Sequence, residues 1–258
     1  MAIILNSSLI QRPNKKPKAL LFDLDGTFMH TAPDFFPTVN SLRKEHNLPV
    51  LADDIIRQQV SNGGRALTRL ALDLPPIKIR NNITDNEALD PVFFEQQRQR
   101  LLDLYVEHIA SKSNLFPNMI ELLEVCQQNS LPWGIVTNKP RPYTELLLER
   151  LNKRLPILAS CAVVVCPDDV ERTKPFPDPL FLAADTLQLK ADECWYLGDH
   201  ARDIEAGKAA NMLTIATLYG YIGPEDQPEQ WQADIMIDHV EDIIELVQRH
   251  SANETANA

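Results

Sequence analysis

The sequence is short of positive charge, has no closely spaced cysteines and contains no long apolar run. Of its 258 residues, 25 are Lys or Arg and 36 are Asp or Glu, a formal net charge of −11. Such a field repels phosphate polymers, which argues against binding to nucleic acid or to an anionic membrane surface; a small anion needs a local positive pocket. Cys126, Cys161, Cys166 and Cys194 stand apart in apolar contexts without a CxxC pair. They read as reduced core thiols of a cytoplasmic protein, not as metal ligands or disulfides. No stretch approaches the roughly 18 uninterrupted apolar residues of a membrane-spanning helix. Internal repeats and low-complexity tracts are missing too. The opening "MAIILNSSLI" is too short for a signal core and its basic residues follow it, so residues 1–17 are expected to form a mobile arm. The small, polar "SANETANA" at 251–258 is expected to fray.

What is present is an ordinary globular composition, with 44% hydrophobic and 24% charged residues, in a chain long enough for one large α/β domain or for one carrying an inserted smaller domain. Short apolar runs recur: "ALLFDLD" (19–25), "LPWGIVTN" (131–138), "AVVVCPD" (162–168), "ECWYLGD" (193–199), "MLTIATL" (212–218) and "ADIMID" (233–238). Amphipathic segments at 118–129, 143–152, 179–189 and 202–210 lie between them, each long enough for a right-handed crossover. That alternation predicts a doubly wound parallel α/β sheet. From about Pro33 to Asn114 only helical patterns occur, which predicts an inserted helical domain. A long helix there should start after Asp90-Pro91, an N-cap followed by an N1 proline. The Pro- and Asn-rich stretch 74–90 reads as a loop within the insert.

Ligands of a parallel sheet bind at the carboxyl ends of its strands, so the polar residues that end the apolar runs are the candidates. The first run ends in Asp23 and Asp25, which alternation places on one side of the chain with Leu24 on the other. Gly26 lets the backbone turn there. The second run ends in Thr137-Asn138-Lys139, Lys174 follows the third, and Asp199 closes the fourth with Asp203 four residues on, the spacing of one helix face. Singly, each has a plainer reading: a strand-end turn capped by Asp, a helix first turn enriched in acids, a solvated lysine. Together they fit phosphoryl transfer. Asp23 is the candidate nucleophile, Asp25 the acid and base, and carboxylates including Asp199 the holders of a hard divalent cation such as Mg²⁺; Lys174 and Thr137 neutralise the anionic group.

These residues resemble the four motifs of the haloacid dehalogenase superfamily: Asp23-Leu24-Asp25-Gly26-Thr27, Thr137, Lys174, and Gly198-Asp199 with Asp203. The resemblance covers residues 18–32 and 115–250 as a catalytic core and implies that 33–114 is a helical C1 cap. It also implies a magnesium shell of Asp23, the Asp25 backbone carbonyl and Asp199, with Asp203 and Asn138 in support. Within the superfamily the chain resembles the phosphoglycolate phosphatase-like branch, and in particular phosphatases of N-acetylmuramic acid 6-phosphate from bacterial cell-wall recycling. "HTAPDFF", "VSNGGRAL", "WGIVTNKP", "CPDDVERTKPFPDPL", "GDHARDIEAGKAAN" and "YGYIGPEDQPEQWQADIMIDH" carry that likeness. His30 and His200 depart from it, standing where acids are usual; His200 is expected to cap a helix and His30 to be a linker residue. In the insert, Gly64 and Arg65 of "SNGGRAL" are the candidate substrate contacts, and a solvent-facing arginine after a glycine-rich helix start is the plainer alternative. Phosphoglycolate hydrolysis, a phosphosugar mutase and a noncatalytic phosphosugar-binding protein on the same fold remain as other readings. A dehalogenase fits less well, since that chemistry needs neither Asp25 nor a metal.

Overall fold

The structure, a computed structural model, describes residues 4–5, 16–75, 79–80, 83–84 and 90–256, with side chains for 16–75 and 90–249. The chain divides into two compact units, one made of Met1–His30 with Asn114–Ala258 and the other of Thr31–Ser113. In chain order the strands are β1 (Ile4–Leu5), β2 (Ala19–Phe22), β3 (Met29–His30), β4 (Ile79–Arg80), β5 (Ile83–Thr84), β6 (Asn114–Leu115), β7 (Trp133–Val136), β8 (Val163–Val165), β9 (Cys194–Gly198), β10 (Leu213–Thr217) and β11 (Ile235–Ile237). The helices are α1 (Ala32–Glu45), α2 (Asp53–Arg57), α3 (Gly63–Ala71), α4 (Pro91–His108), α5 (Met119–Gln128), α6 (Arg141–Asn152), α7 (Asp178–Thr186), α8 (Ala201–Ala209) and α9 (Val240–Ala256).

The larger unit is built on one sheet in the order β1-β11-β10-β9-β2-β7-β8. From β11 to β8 every neighbour is parallel. Each of the six apolar runs contains one of these strands. Their residues read as continuous hydrophobic stretches because helices cover a parallel sheet on both faces. β2 is fully buried and lies centrally, paired with β9 on one side and β7 on the other. Leu21, Val136, Val165, Tyr196 and Met212 join in one core cluster with Leu180 of α7 and Ala206 of α8. The four cysteines are free thiols. Burial pushes Cys126 and Cys194 up to about 12, so both stay protonated and pack as small apolar groups.

The chain leaves the larger unit after β3 and re-enters it at β6, and these two strands pair antiparallel, Met29 opposite Leu115 and His30 opposite Asn114. Between them lies the helical unit. Its α4 begins as the sequence predicts: the Asp90 side chain accepts from Val92 N at 3.0 Å, with Pro91 at the first helical position. α1 packs against α2, α3 and α4, and the Phe35 and Tyr105 rings stack with centroids 4.3 Å apart. Arg43 is buried, donating to Asp73, to the Pro49 carbonyl and to the last carbonyls of α3. Asp34, wholly buried near the start of α1, accepts from Ala110 N and Lys112 N at 2.7 Å, from Ser113 N at 3.1 Å and from the Ser113 hydroxyl.

Three expectations change. Ile4–Leu5, within the expected mobile arm, forms β1 on the outer edge of β11, where unpaired backbone groups of an edge strand invite pairing; residues 1–3 and 6–15 lie outside the described residues. The stretch 74–90 holds the antiparallel pair β4 and β5, three of whose four residues, Ile79, Ile83 and Thr84, are β-branched; 76–78, 81–82 and 85–89 lie outside the described residues. α9 runs on to Ala256 through residues expected to fray, because a helix nucleated by packed turns extends at one hydrogen bond per residue; 257–258 lie outside the described residues.

Candidate active site

Three parallel strands that neighbour one another deliver polar residues at the same end. Asp23 follows β2, Thr137 follows β7 and Asp199 follows β9, each immediately after the last strand residue. Between Asp23 and β3 the chain folds sharply: Phe28 N donates to Asp23 O, Met29 N to Leu24 O, and Gly26 N to Met29 O. Gly26 has φ +96, and a Cβ on it would fall 2.1 Å from Asp199 Oδ2. Glycine is therefore required twice over, by the backbone conformation and by the close approach of the carboxylate.

Lys174 ties these strand ends together. Its ammonium is buried, 2.5 Å from Asp23 Oδ1 and 2.7 Å from Asp203 Oδ1, and it donates to the Val136 carbonyl at 3.0 Å and to the Tyr196 hydroxyl at 2.9 Å. Asn138 Nδ2 donates to the Lys174 carbonyl at 2.9 Å and steadies the loop that carries the lysine. Burial works against the ammonium, but Asp203 and Asp23 outweigh it and hold Lys174 above its ordinary range. Asp23 responds the other way. Burial, reinforced by the charges of Asp203 and Asp25 and opposed by Lys174, lifts its carboxyl from 3.8 to about 7. Burial together with Asp23 and Asp203 also raises Asp199 well above the carboxylate range.

Asp199 is locked from two sides, with Oδ2 accepting from Tyr221 N at 2.7 Å and Oδ1 from the Thr27 hydroxyl at 3.3 Å. Gly220 passes so close that a Cβ there would lie 2.2 Å from the Asp199 Cβ, and one on Gly198 would lie 2.2 Å from that of Asp203. Oxygens of Asp23, Asp199 and Asp203 all lie within 4.8 Å of one another. Lys174 pairs with Asp23 and Asp203 and balances one charge, so with all three carboxylates ionised two negative charges would stand uncompensated in a buried place. A hard dication with oxygen ligands fits that donor set and that deficit.

The Asp25 carboxylate lies outside this cluster. Lys139 Nζ donates to its two oxygens at 3.1 and 3.3 Å. The structure thus brings Asp23, Thr137, Asn138, Lys174, Asp199 and Asp203 to one end of the sheet, with Asp25 and Lys139 paired beside them. Gly64 and Arg65 belong to the helical unit, in the first turn of α3, and the Arg65 guanidinium is held there by Glu95 at 2.5 Å and lies over the Phe94 ring. His200 caps α8, Nδ1 accepting from Arg202 N at 3.3 Å; burial, aided by Arg202, lowers it to about 4 and keeps it a neutral acceptor. His30 Nδ1 is 3.0 Å from the Tyr221 hydroxyl. Sequence reasoning missed Tyr196, whose hydroxyl sits among Lys174, Asp203 and Val136. Its position inside an apolar run marks it only as a core residue.

Comparison with known proteins places the chain. The family model of haloacid dehalogenase-like hydrolases matches residues 20–217. An N-acetylmuramic acid 6-phosphate phosphatase from Pseudomonas aeruginosa is 39% identical, covering 90% of this chain and 95% of that protein. A phosphoglycolate phosphatase from Xanthomonas campestris pv. campestris is 36% identical, covering 86% of this chain and 92% of the relative. Among solved structures, a haloacid dehalogenase-like family hydrolase from Streptococcus pneumoniae shares the fold with a TM-score of 0.67 at 19% identity, covering 90% of this chain and 97% of the other. With the strand-end carboxylates, the match over most of its length and named phosphatases on both sides, the chain belongs to the haloacid dehalogenase-like hydrolase family, as a phosphoric monoester hydrolase.

Proposed function

We propose that the chain is a magnesium-dependent phosphatase of N-acetylmuramic acid 6-phosphate, acting through an aspartyl-phosphate on Asp23 and serving cytoplasmic peptidoglycan recycling. The observation that carries the mechanism is the separation of two acids two residues apart into different settings, Asp23 against Lys174 and Asp25 against Lys139. In the first step the Asp23 carboxylate attacks phosphorus while Asp25 gives its proton to the departing sugar oxygen, and the phosphorus–ester bond breaks. In the second step Asp25 takes a proton from water, the water oxygen bonds to phosphorus and the Asp23–phosphorus link is cleaved, releasing phosphate. Lys174, the Thr137 hydroxyl and the amides of its turn would offset charge on the transferring group. A magnesium ion held by Asp23, Asp199 and the Asp25 carbonyl, with Asp203 in support, would supply the further positive charge that the cluster lacks.

Substrate choice is assigned to the helical unit, acting as a cap with Gly64 and Arg65 as contact candidates. The 39% identity over 90% of the chain supports the muramate reading, and the 36% relative named for phosphoglycolate supports the second one. Phosphate release from both esters, side by side with magnesium and with EDTA, separates them. Preferential, EDTA-sensitive release from the muramate ester is expected, and a preference for phosphoglycolate would overturn the substrate assignment. Asp23→Asn is expected to lose more than about a thousandfold in kcat with an unchanged circular dichroism spectrum; substantial residual turnover would remove the covalent route.

A further inference from the structure

Lys139 stands in the site without a part in the mechanism above. Its backbone is fixed on both sides of the turn that joins β7 to α6: its N–H donates to the Thr137 hydroxyl at 3.0 Å, and its carbonyl accepts from the Thr144 hydroxyl at 3.1 Å. Its side chain is 7% exposed, and the ammonium spans both oxygens of Asp25 at 3.1 and 3.3 Å. β2 and β7 are hydrogen-bonded neighbours, and the two residues stand at corresponding distances past their ends. Burying an ammonium is costly unless a charge meets it, and a long lysine side chain gives up rotamer freedom to be held this way. Lys174 is engaged elsewhere, on Asp23 and Asp203. The two cations are thus divided between the two acids.

We propose that Lys139 is a positioning residue for Asp25. Its ammonium holds one oxygen of the Asp25 carboxyl group and so fixes the orientation from which the other, when protonated, passes its proton to the leaving oxygen. This rests on the reading of Asp25 as the proton donor, and the test keeps the two apart. An ester with a good leaving group departs without protonation, whereas one with a poor leaving group depends on the acid. Phenyl phosphates whose phenols differ in acidity carry no second anionic group, so they report this dependence and not recognition of the rest of a substrate.

The experiment measures kcat/KM for phenyl phosphate, p-nitrophenyl phosphate and N-acetylmuramic acid 6-phosphate with the wild type, Asp25→Asn, Lys139→Met, Lys139→Arg and the Asp25→Asn/Lys139→Met double variant. Lys139→Met is expected to lower kcat/KM for phenyl phosphate at least about tenfold more than for p-nitrophenyl phosphate, the pattern of Asp25→Asn in milder form. Lys139→Arg should restore most of it, and the double variant should be no worse than Asp25→Asn alone, because neighbours acting through one step are not additive. An equal loss on the two phenyl esters, with a lowered melting temperature, would reduce Lys139 to a structural role and overturn the proposal. A loss confined to the muramate ester and seen as a raised KM would make Lys139 a substrate contact instead, which also overturns it. If Asp25→Asn itself shows no leaving-group dependence, the fault lies in the reading of Asp25. Wild-type protein that releases phosphate from none of the three esters overturns the phosphatase reading beneath both.

Discussion

At the scale of single residues, the site is a balance between protons and cations. Asp23 is raised to about 7 and Asp199 well above its ordinary range, burial being the chief cause for both. Between roughly pH 4 and 7 the folded chain therefore binds more protons than the unfolded one, and on account of these groups its metal-free stability falls as pH rises. Lys174 is raised as well, so its contribution is complete below 10.5 and fades only as pH climbs through its higher folded value, outside this window. A divalent cation competes for the same oxygens, weakly while they are protonated and strongly once they ionise. The melting-temperature gain from millimolar magnesium is accordingly expected to be small near pH 5 and larger by several degrees near pH 8. Equal gains at both pH values would show that these carboxylates are not its ligands. Asp23, Thr137 and Asp199 could be named from the sequence because a strand end advertises its polar residue by breaking an apolar run, and Asp25 and Lys174 because they follow such ends in the next turn or loop. Tyr196 could not, since a tyrosine inside such a run has the same appearance whether its hydroxyl meets a lysine or nothing. The partnership of Lys139 with Asp25 spans 114 positions, and no local pattern encodes it.

At the scale of elements, the parallel strands were legible and the small ones were not. β2, β7, β8, β9, β10 and β11 each lie inside a run of apolar residues whose length suits a strand. β1 exists because β11 offers it an edge from the far end of the chain, and two residues carry no periodicity. The helical unit has its own such case in Asp34. Four donors from the segment after α4 converge on its buried carboxylate, tying the start of α1 to the chain's way out of the unit. Its partners lie 76 to 79 residues on, so the "HTAPDFF" pattern shows the residue and hides the role. Asp34→Ala would strand those donors, and a loss on the order of 3 kcal/mol in the urea unfolding free energy is expected. Asp34→Asn, which keeps one acceptor oxygen, should lose less. A cost under about 0.5 kcal/mol for the alanine variant would show that water replaces the carboxylate without difficulty.

At the scale of the whole molecule, the strongest division is between the sheet unit, which holds every residue assigned to phosphoryl transfer, and the helical unit Thr31–Ser113. If the second chooses the leaving alcohol, exchanging residues 31–113 for the corresponding segment of a phosphoglycolate phosphatase should shift the preference between the two esters by an order of magnitude or more, about 1.4 kcal/mol in kcat/KM, with magnesium affinity changed less than about twofold. Unchanged preference would move the selectivity into the sheet unit. The means of such an exchange is already in the chain. β3 and β6 run side by side in opposite directions, Met29 against Leu115 and His30 against Asn114, so the insert departs and returns through adjoining positions. To the sheet, the whole helical unit is topologically no more than a long hairpin loop. Such a loop can be lengthened, shortened or replaced without rethreading a single central strand, and if it chooses the alcohol, one hydrolytic centre can be refitted to a new ester while its own geometry stays unaltered.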